Sequence, residues 1–325
     1  MYGLALAGND DDYAAYEARG AATDVSVVAP GVATARGVDL GAGEALAYTH
    51  RIVELLGRTD ASVGSARALL SAAGIDREGS VAVRARDVRS TAGVSTRDAE
   101  VELGAVLVDR GFGVDLDDPD HVLCVWFSAD SCLVGWQVAE SVREFSARRP
   151  TDRPFFQPGS MDPLDARWAV NVAGAGSGLI VDPMCGTGGF LIEAGLVGSD
   201  VVGIDTQWKM TRGTRENLAA YLADETVGFD VLRGDATALP LRDDCADGVV
   251  VDVPYGRQSK VATHSLSDLV SGALAEAARV APRAVVVADR SWDEEAETAG
   301  WRVERRFERR VHGSLMRHVH VLVRV

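Results

Sequence analysis

Lysine is nearly missing from this chain. Of 33 basic residues among 325, only Lys209 and Lys260 are lysines, and 48 acidic residues leave a formal net charge of -15. No apolar run approaches the roughly 20 residues that a membrane-spanning helix needs, so no membrane partner is expected. The opening Met1-Tyr-Gly-Leu-Ala-Leu-Ala-Gly-Asn-Asp10 has neither the charged start nor the long apolar core of a secretory signal, and a cytoplasmic protein is expected. The four cysteines, Cys124, Cys132, Cys185 and Cys245, form no C-x-x-C pair, which argues against metal ligation and against a disulfide framework. No metal is expected. Cys124 and Cys132 read as buried strand residues and Cys185 as a small packing residue. The histidines are scattered, without a Cys, Ser or Asp partner at a recognisable spacing, and none is assigned to catalysis.

The charge balance constrains the partners in two directions. An isoelectric point near 4.8 is awkward for a protein that must neutralise phosphates, and an acidic binding domain without a nucleic-acid partner is one reading of it. The other starts from arginine replacing lysine and aspartate outnumbering glutamate. A surface of that kind resembles proteins of salt-loving organisms, whose carboxylates stay hydrated while salt screens their repulsion within about 3 Å at 1 M.

Two phosphate-binding glycine patterns are also absent. Neither G-x-G-x-x-G nor G-x-x-x-x-G-K-[ST] occurs at the one conspicuous glycine turn. That turn lies in Leu179-Ile-Val-Asp182-Pro-Met-Cys-Gly186-Thr187-Gly188-Gly-Phe-Leu-Ile-Glu-Ala194, where an apolar strand breaks into small residues and then a helix. Without a Cβ in the way, backbone N–H groups there can approach a ligand closely. The next strand, Asp200 to Ile204, ends in Asp205, placed to accept hydrogen bonds from both hydroxyls of a ribose. A third, Val227 to Leu232, precedes Gly234-Asp235-Ala236, and an acid there can meet an adenine amine. Each acid taken alone also reads as a helix cap or turn carboxylate; three at successive strand ends favour a ligand. About seventy residues after Asp182 comes Asp252-Val253-Pro254-Tyr255-Gly256, a carboxylate, a proline and an aromatic ring at the end of a short apolar run. Alone it reads as a strand ending in a turn. Beside the glycine turn it suits a planar group carrying an amine, and the two motifs together point to methyl transfer from S-adenosylmethionine to an exocyclic base nitrogen.

These motifs, with Gln157-Pro-Gly-Ser160-Met-Asp-Pro-Leu-Asp-Ala-Arg167 before them and Arg257-Gln-Ser-Lys260 after them, resemble the THUMP-associated Rossmann-type RNA methyltransferases, and within them the archaeal tRNA guanosine-10 N2-methyltransferase family. That family usually carries Asp-Pro-Pro-Tyr-Gly where Val253 stands here. The resemblance implies tRNA as partner and S-adenosylmethionine as cofactor, with mono- and dimethylation both open. By the same resemblance, Asp182, Gly186, Thr187 and Gly188 line the methionine end of the cofactor and Asp205 the ribose. Asp235 and Ala236 line the adenine, and Ser160 helps close the site. Asp252 and the Pro254 carbonyl accept hydrogen bonds from the guanine N2 amine, while Tyr255 stacks on the base. An amino-methyltransferase of ribosomal RNA or DNA, or an inactive RNA-binding scaffold, are the alternatives.

The expected fold is α/β. A 1–48 ferredoxin-like segment and a 49–140 THUMP-like domain form an α+β module, a linker covers 141–155, and a Rossmann-type methyltransferase domain over 156–325 ends in an antiparallel hairpin. Helical periodicity is read from Tyr48 to Leu56, with a stop at Gly57, and further helices at Ala61–Ala73 and Thr96–Arg110. Arg143, Arg148, Arg149 and Arg153 in Ser141–Pro158 either meet RNA phosphates or are solvated. Arg309, Arg310 and Arg317 near the terminal hairpin either face tRNA or pair with surface carboxylates. The protein is expected to be monomeric.

Overall fold

Strands of one direction cannot be joined by a tight turn, so alternating strands and helices in the C-terminal half require each helix to cross back over a parallel sheet. The computed structural model, which describes residues 1–255, 265–312 and 315–325, shows two compact units, Met1–Val142 and Arg143–Val325. In the second unit the elements are α1 (Pro163–Ala173), β1 (Leu179–Asp182), α2 (Gly189–Gly195), β2 (Asp200–Asp205), α3 (Trp208–Tyr221), β3 (Phe229–Arg233), β4 (Gly248–Asp252), α4 (Leu266–Val280), β5 (Arg283–Ala288), α5 (Asp293–Thr298), β6 (Trp301–His312) and β7 (Leu315–Arg324).

The sheet order is β3-β2-β1-β4-β5-β7-β6. The first five strands run parallel, β7 lies antiparallel to β5, and β6 closes the edge against β7. The order reverses between β1 and β4, and the crevice at the carboxyl ends of strands flanking such a reversal is where open α/β sheets bind ligands. Valine-rich β4 and β5 are covered on both faces, as parallel strands require. Val249, Val251, Val286 and Ala288 pack with Val270, Leu274 and Ala277 from one stripe of α4. At the start of β4, Gly248 is needed because a Cβ there would run into the Ala173 carbonyl at the end of α1.

A buried ion network locks the segment before α1 onto this unit. Glu193 on α2 is 0% exposed. Its carboxylate accepts from Arg148 Nε at 2.8 Å and Nη2 at 3.2 Å, and lies 2.8 Å from Arg167 Nη2 on α1. Arg153 is buried as well. Two of the four arginines read as solvated or RNA-facing are therefore interior groups, because a buried carboxylate one helix away draws Arg148 inward. Arg317 is buried too, while Arg309 pairs with Asp165.

The first unit is built on one eight-stranded sheet. Its order is Ser26–Ala29, Val32–Ala35, Tyr2–Leu6, Thr49–Asp60, Ser131–Glu140, His121–Ser128, Ser80–Asp87, Gly113–Val114. Helices Val63–Ala72 and Thr96–Asp109 bury Ala66, Leu70, Leu103 and Leu107 against Leu123, Phe127 and Trp136. The helix expected over Tyr48–Leu56 is instead part of the twelve-residue strand Thr49–Asp60. Tyr48, Ile52 and Val53 satisfy a helical spacing, but Ile52 and Val53 are both buried because this strand is central and covered on both faces. Pairing with Tyr2–Leu6 on one side and Ser131–Glu140 on the other outweighs local periodicity. Gly313 and Ser314, within the expected terminal hairpin, and the motif Gly256-Arg257-Gln-Ser-Lys260 fall outside the described residues.

Removing one member of a buried ion network strands the others in a low-dielectric interior. Glu193→Ala is expected to cost about 3–5 kcal/mol, read as a lowered midpoint in urea unfolding. An unchanged midpoint would show that Arg148 and Arg167 do not depend on Glu193.

Candidate active site

The glycine turn between β1 and α2 has a backbone that side chains resist. Gly186 has φ +50° and Gly188 φ +78°, and a Cβ at Gly188 would come within 2.8 Å of the Thr214 methyl. Four hydrogen bonds hold the turn against the middle of α3 and the end of β2. Gly186 N–H donates to Asp205 Oδ2 at 3.1 Å and Cys185 N–H to the Ile204 carbonyl at 2.9 Å. Thr214 Oγ1 donates to the Gly186 carbonyl at 2.7 Å, and Asn217 Nδ2 to the Thr187 carbonyl at 2.9 Å. The other oxygen of Asp205 accepts from Gln207 N–H at 2.8 Å. Since a carboxylate has about four acceptor positions, bracing the turn leaves Asp205 capacity for the hydroxyls of a ribose.

Ser160 reaches the same turn from the segment before α1. Its hydroxyl donates to the Gln157 carbonyl at 2.8 Å and lies 3.0 Å from Thr187 Oγ1. A hydroxyl has one proton to give, so with Ser160 donating to Gln157 it is Thr187 that donates to Ser160. A cavity of ≈ 200 Å³ opens here and brings together Ser160, Asp182, Gly186, Thr187 and Asp252. Gly188, Asp205, Asp235, Ala236, Pro254 and Tyr255 are outside its wall. Asp235 Oδ1 accepts from Thr237 N–H at 2.9 Å and Oγ1 at 2.8 Å, the turn-carboxylate role weighed for each acid, and Ala236 beside it is buried.

Three carboxylates converge at the strand ends, and their ionisation is strained. Burial pushes Asp182 well up; a hydrogen bond from Met184 N–H opposes this, and the charges of Asp205 and Asp252 add to it. Burial also raises Asp205, against its backbone hydrogen bonds from Gln207 and Gly186. Asp252 is pushed up to about 6 by burial, with the Arg317 guanidinium and the Tyr255 hydroxyl pulling it down and Asp289 adding to the rise. A cluster of this kind is complementary to a cation seated between the acids.

Tyr255 was expected to offer its ring to a base. In the structure its hydroxyl donates to Asp252 Oδ1 at 2.9 Å, and Arg317 Nε donates to that hydroxyl at 3.3 Å. Behind them, Asp165 on α1 lies 4.0 Å from Arg317 Nη1 and 3.3 Å from Arg309 Nη2. Arg317 and Asp165 were not singled out as site residues in the sequence. One signal was present for Arg317: in β7 it shares strand parity with Val319 and Val321, both buried, and an arginine on an inward face needs a buried partner. Among the described residues no group of three His, Cys, Asp or Glu side chains is placed to hold a metal ion.

Residues 150–318 match the family described as RMKL-like, methyltransferase domain. The tRNA (guanine(10)-N2)-dimethyltransferase of Methanothermobacter thermautotrophicus is 37% identical over 86% of this chain and 84% of its own length. The protein of the same name from Pyrococcus abyssi is 32% identical over 75% of this chain and 74% of its own. Among solved structures, SMU.472 complexed with SAH covers 99% of this chain and 97% of its own with a TM-score of 0.51 at 13% identity, a likeness of fold. The chain belongs to the RMKL-like methyltransferase family, alongside the archaeal tRNA (guanine(10)-N2)-dimethyltransferases.

Proposed function

We propose that this chain transfers methyl groups from S-adenosylmethionine to the exocyclic N2 amine of a guanosine in tRNA, at position 10, and continues to dimethylguanosine. The observation that carries the reading is Asp252, which ends β4 and shares one cavity with the glycine turn. Homologues that match most of the chain bear the same activity in their names.

The residues present fit the cofactor. Gly186, Thr187 and Gly188 leave room beside the turn for its methionine end, closed by Ser160, and Asp182 lies beneath. Asp205 takes the ribose, and Asp235 with Ala236 the adenine. When bound, the cofactor supplies an electrophilic methyl on a positively charged sulfur, and the acid cluster favours that cation over the neutral thioether left after transfer. The rest is done by the chain. A guanine amine is a poor nucleophile because its lone pair is delocalised into the ring. Asp252 and the Pro254 carbonyl accept its two hydrogens, turn the lone pair toward the methyl and stabilise the developing positive charge. Each transfer leaves a positively charged amine that gives up one proton, to the Asp252 carboxylate and from there to solvent; after the first, one hydrogen remains, so a single acceptor orients the amine for the second. For the base to reach Asp252, Tyr255 gives up its bond to Oδ1, which frees its ring to stack. Arg317, buried behind both, keeps Asp252 ionised. We place this activity in the cytoplasm, and the arginine-rich, aspartate-rich surface suits a salt-rich one; among the described residues no helix is long and apolar enough to cross a membrane.

Incubation with labelled cofactor and unmodified tRNA transcripts, followed by nucleoside analysis, is expected to yield N2-methyl- and N2,N2-dimethylguanosine; label on another nucleoside would refute the assignment. Asp252→Ala is expected to lower turnover by about two orders of magnitude, the scale of one lost preorganised partner, with far less change in cofactor affinity. Near wild-type turnover would remove Asp252 from the mechanism.

The pH profile tests Arg317 separately. Asp252 accepts hydrogen bonds only when ionised, so turnover is expected to fall as pH drops through about 6. Arg317→Gln removes the charge that holds this carboxyl down, and the acid limb is expected to move to higher pH. A lower plateau with an unmoved limb would reduce Arg317 to a packing role.

A further inference from the structure

Six tryptophans occur in the chain, and five of them are 3% exposed or less. The sixth, Trp208, is 62% exposed. It is the first residue of α3, two positions before Met210, which lines the cavity. Phe156, 41% exposed, directly precedes Gln157, which also lines the cavity. The two segments are packed together: Phe155 lies so close to α3 that any side chain at Gly213 would overlap its ring, and Lys209 Nζ stands 5.6 Å from that ring's centre. Phe155 N–H also donates to Asn217 on α3 at 2.8 Å.

Charge singles out the same place. The chain carries -15, yet residues 206–215 hold Lys209, Arg212 and Arg215 and no carboxylate, and residues 153–160 likewise contain no carboxylate. Arg215 is committed to the Val231 carbonyl and Arg153 is buried, which leaves Lys209 and Arg212, both exposed, as the cations of this rim. One of the two lysines in the whole chain thus adjoins its one exposed tryptophan. An aromatic face beside cations is how unpaired nucleotides are held without reading their sequence: the base stacks and the phosphates meet the charges.

We propose that Trp208 and Phe156, with Lys209 and Arg212, form the surface that holds an unpaired nucleotide next to the target guanosine, its base on the Trp208 indole and its flanking phosphates against Lys209 and Arg212. Holding the neighbour splayed out fixes the backbone on that side of the target and helps keep the guanine out of its stack. The inference rests on the tRNA reading of the site.

The test compares wild-type, Trp208→Ala, Trp208→Phe and Lys209→Ala proteins. Cofactor affinity is measured by calorimetry, and KM and kcat with an unmodified tRNA transcript. Wild-type protein is assayed first; failure to methylate tRNA counts against the function and not against the surface, which is then judged by binding of the same transcript alone. Trp208→Ala is expected to weaken tRNA binding, or raise KM, by about tenfold with cofactor affinity unchanged, and Trp208→Phe to restore most of it. Lys209→Ala is expected to make tRNA affinity less steep in salt. Unchanged tRNA affinity in Trp208→Ala overturns the inference. So does an equal loss of cofactor affinity, which would assign the indole to the adenosyl group.

Discussion

The hydrogen bond from Gly186 N–H to the Asp205 carboxylate, 3.1 Å long, is the constraint on which the site depends. It joins the end of β2 to a turn whose left-handed glycines have no geometry of their own to enforce. The parallel pairing of β1 with β2 sets their ends at one level, and through this bond the turn is tied to that level, with Thr214 and Asn217 on α3 completing the grip. The turn in turn positions Thr187, and Thr187 positions Ser160. The hydrogen bonds that brace the turn therefore bear both on the floor of the cavity and on the segment that closes it.

That arrangement has an electrostatic consequence. Packing Asp182, Asp205 and Asp252 at adjacent strand ends costs free energy, since burial penalises the charge on each and the charges of Asp205 and Asp252 make Asp182 harder still to ionise. Such a cluster is tolerable when cations offset it. The chain supplies Arg317 on one side, and a sulfonium would supply the other. The placement of Arg317 makes the terminal hairpin more than an edge cover: β7 carries a charge to Tyr255 and Asp252 at the end of β4.

Much of this was legible in the sequence because it is local. The glycine turn, Asp205 at the next strand end and Asp252 at the fourth are each set by a few contiguous residues, and the alternation of strands and helices in the C-terminal half fixes the sheet that aligns them. What escaped was long-range. Tyr48–Leu56 carries a helical spacing, and only its two strand partners, distant in the chain, make it a strand. Arg148 looks like part of a solvated basic stretch until Glu193, 45 residues later, draws it inside. Arg317 is brought to Tyr255 across 62 residues, and Asp165 to Arg309 across 144. The role of Tyr255 was read from its type; the bond of its hydroxyl to Asp252 is a property of the folded site.

The central claim is that the glycine turn and the acids at the ends of β1, β2 and β4 form one cofactor and acceptor site. A crystal structure with S-adenosylhomocysteine tests it most directly. The account predicts the ribose hydroxyls on Asp205, the amino-acid end beside Gly186, Thr187 and Ser160, and the sulfur facing Asp252. A ligand bound away from this cavity, or one whose sulfur points away from Asp252, would contradict it.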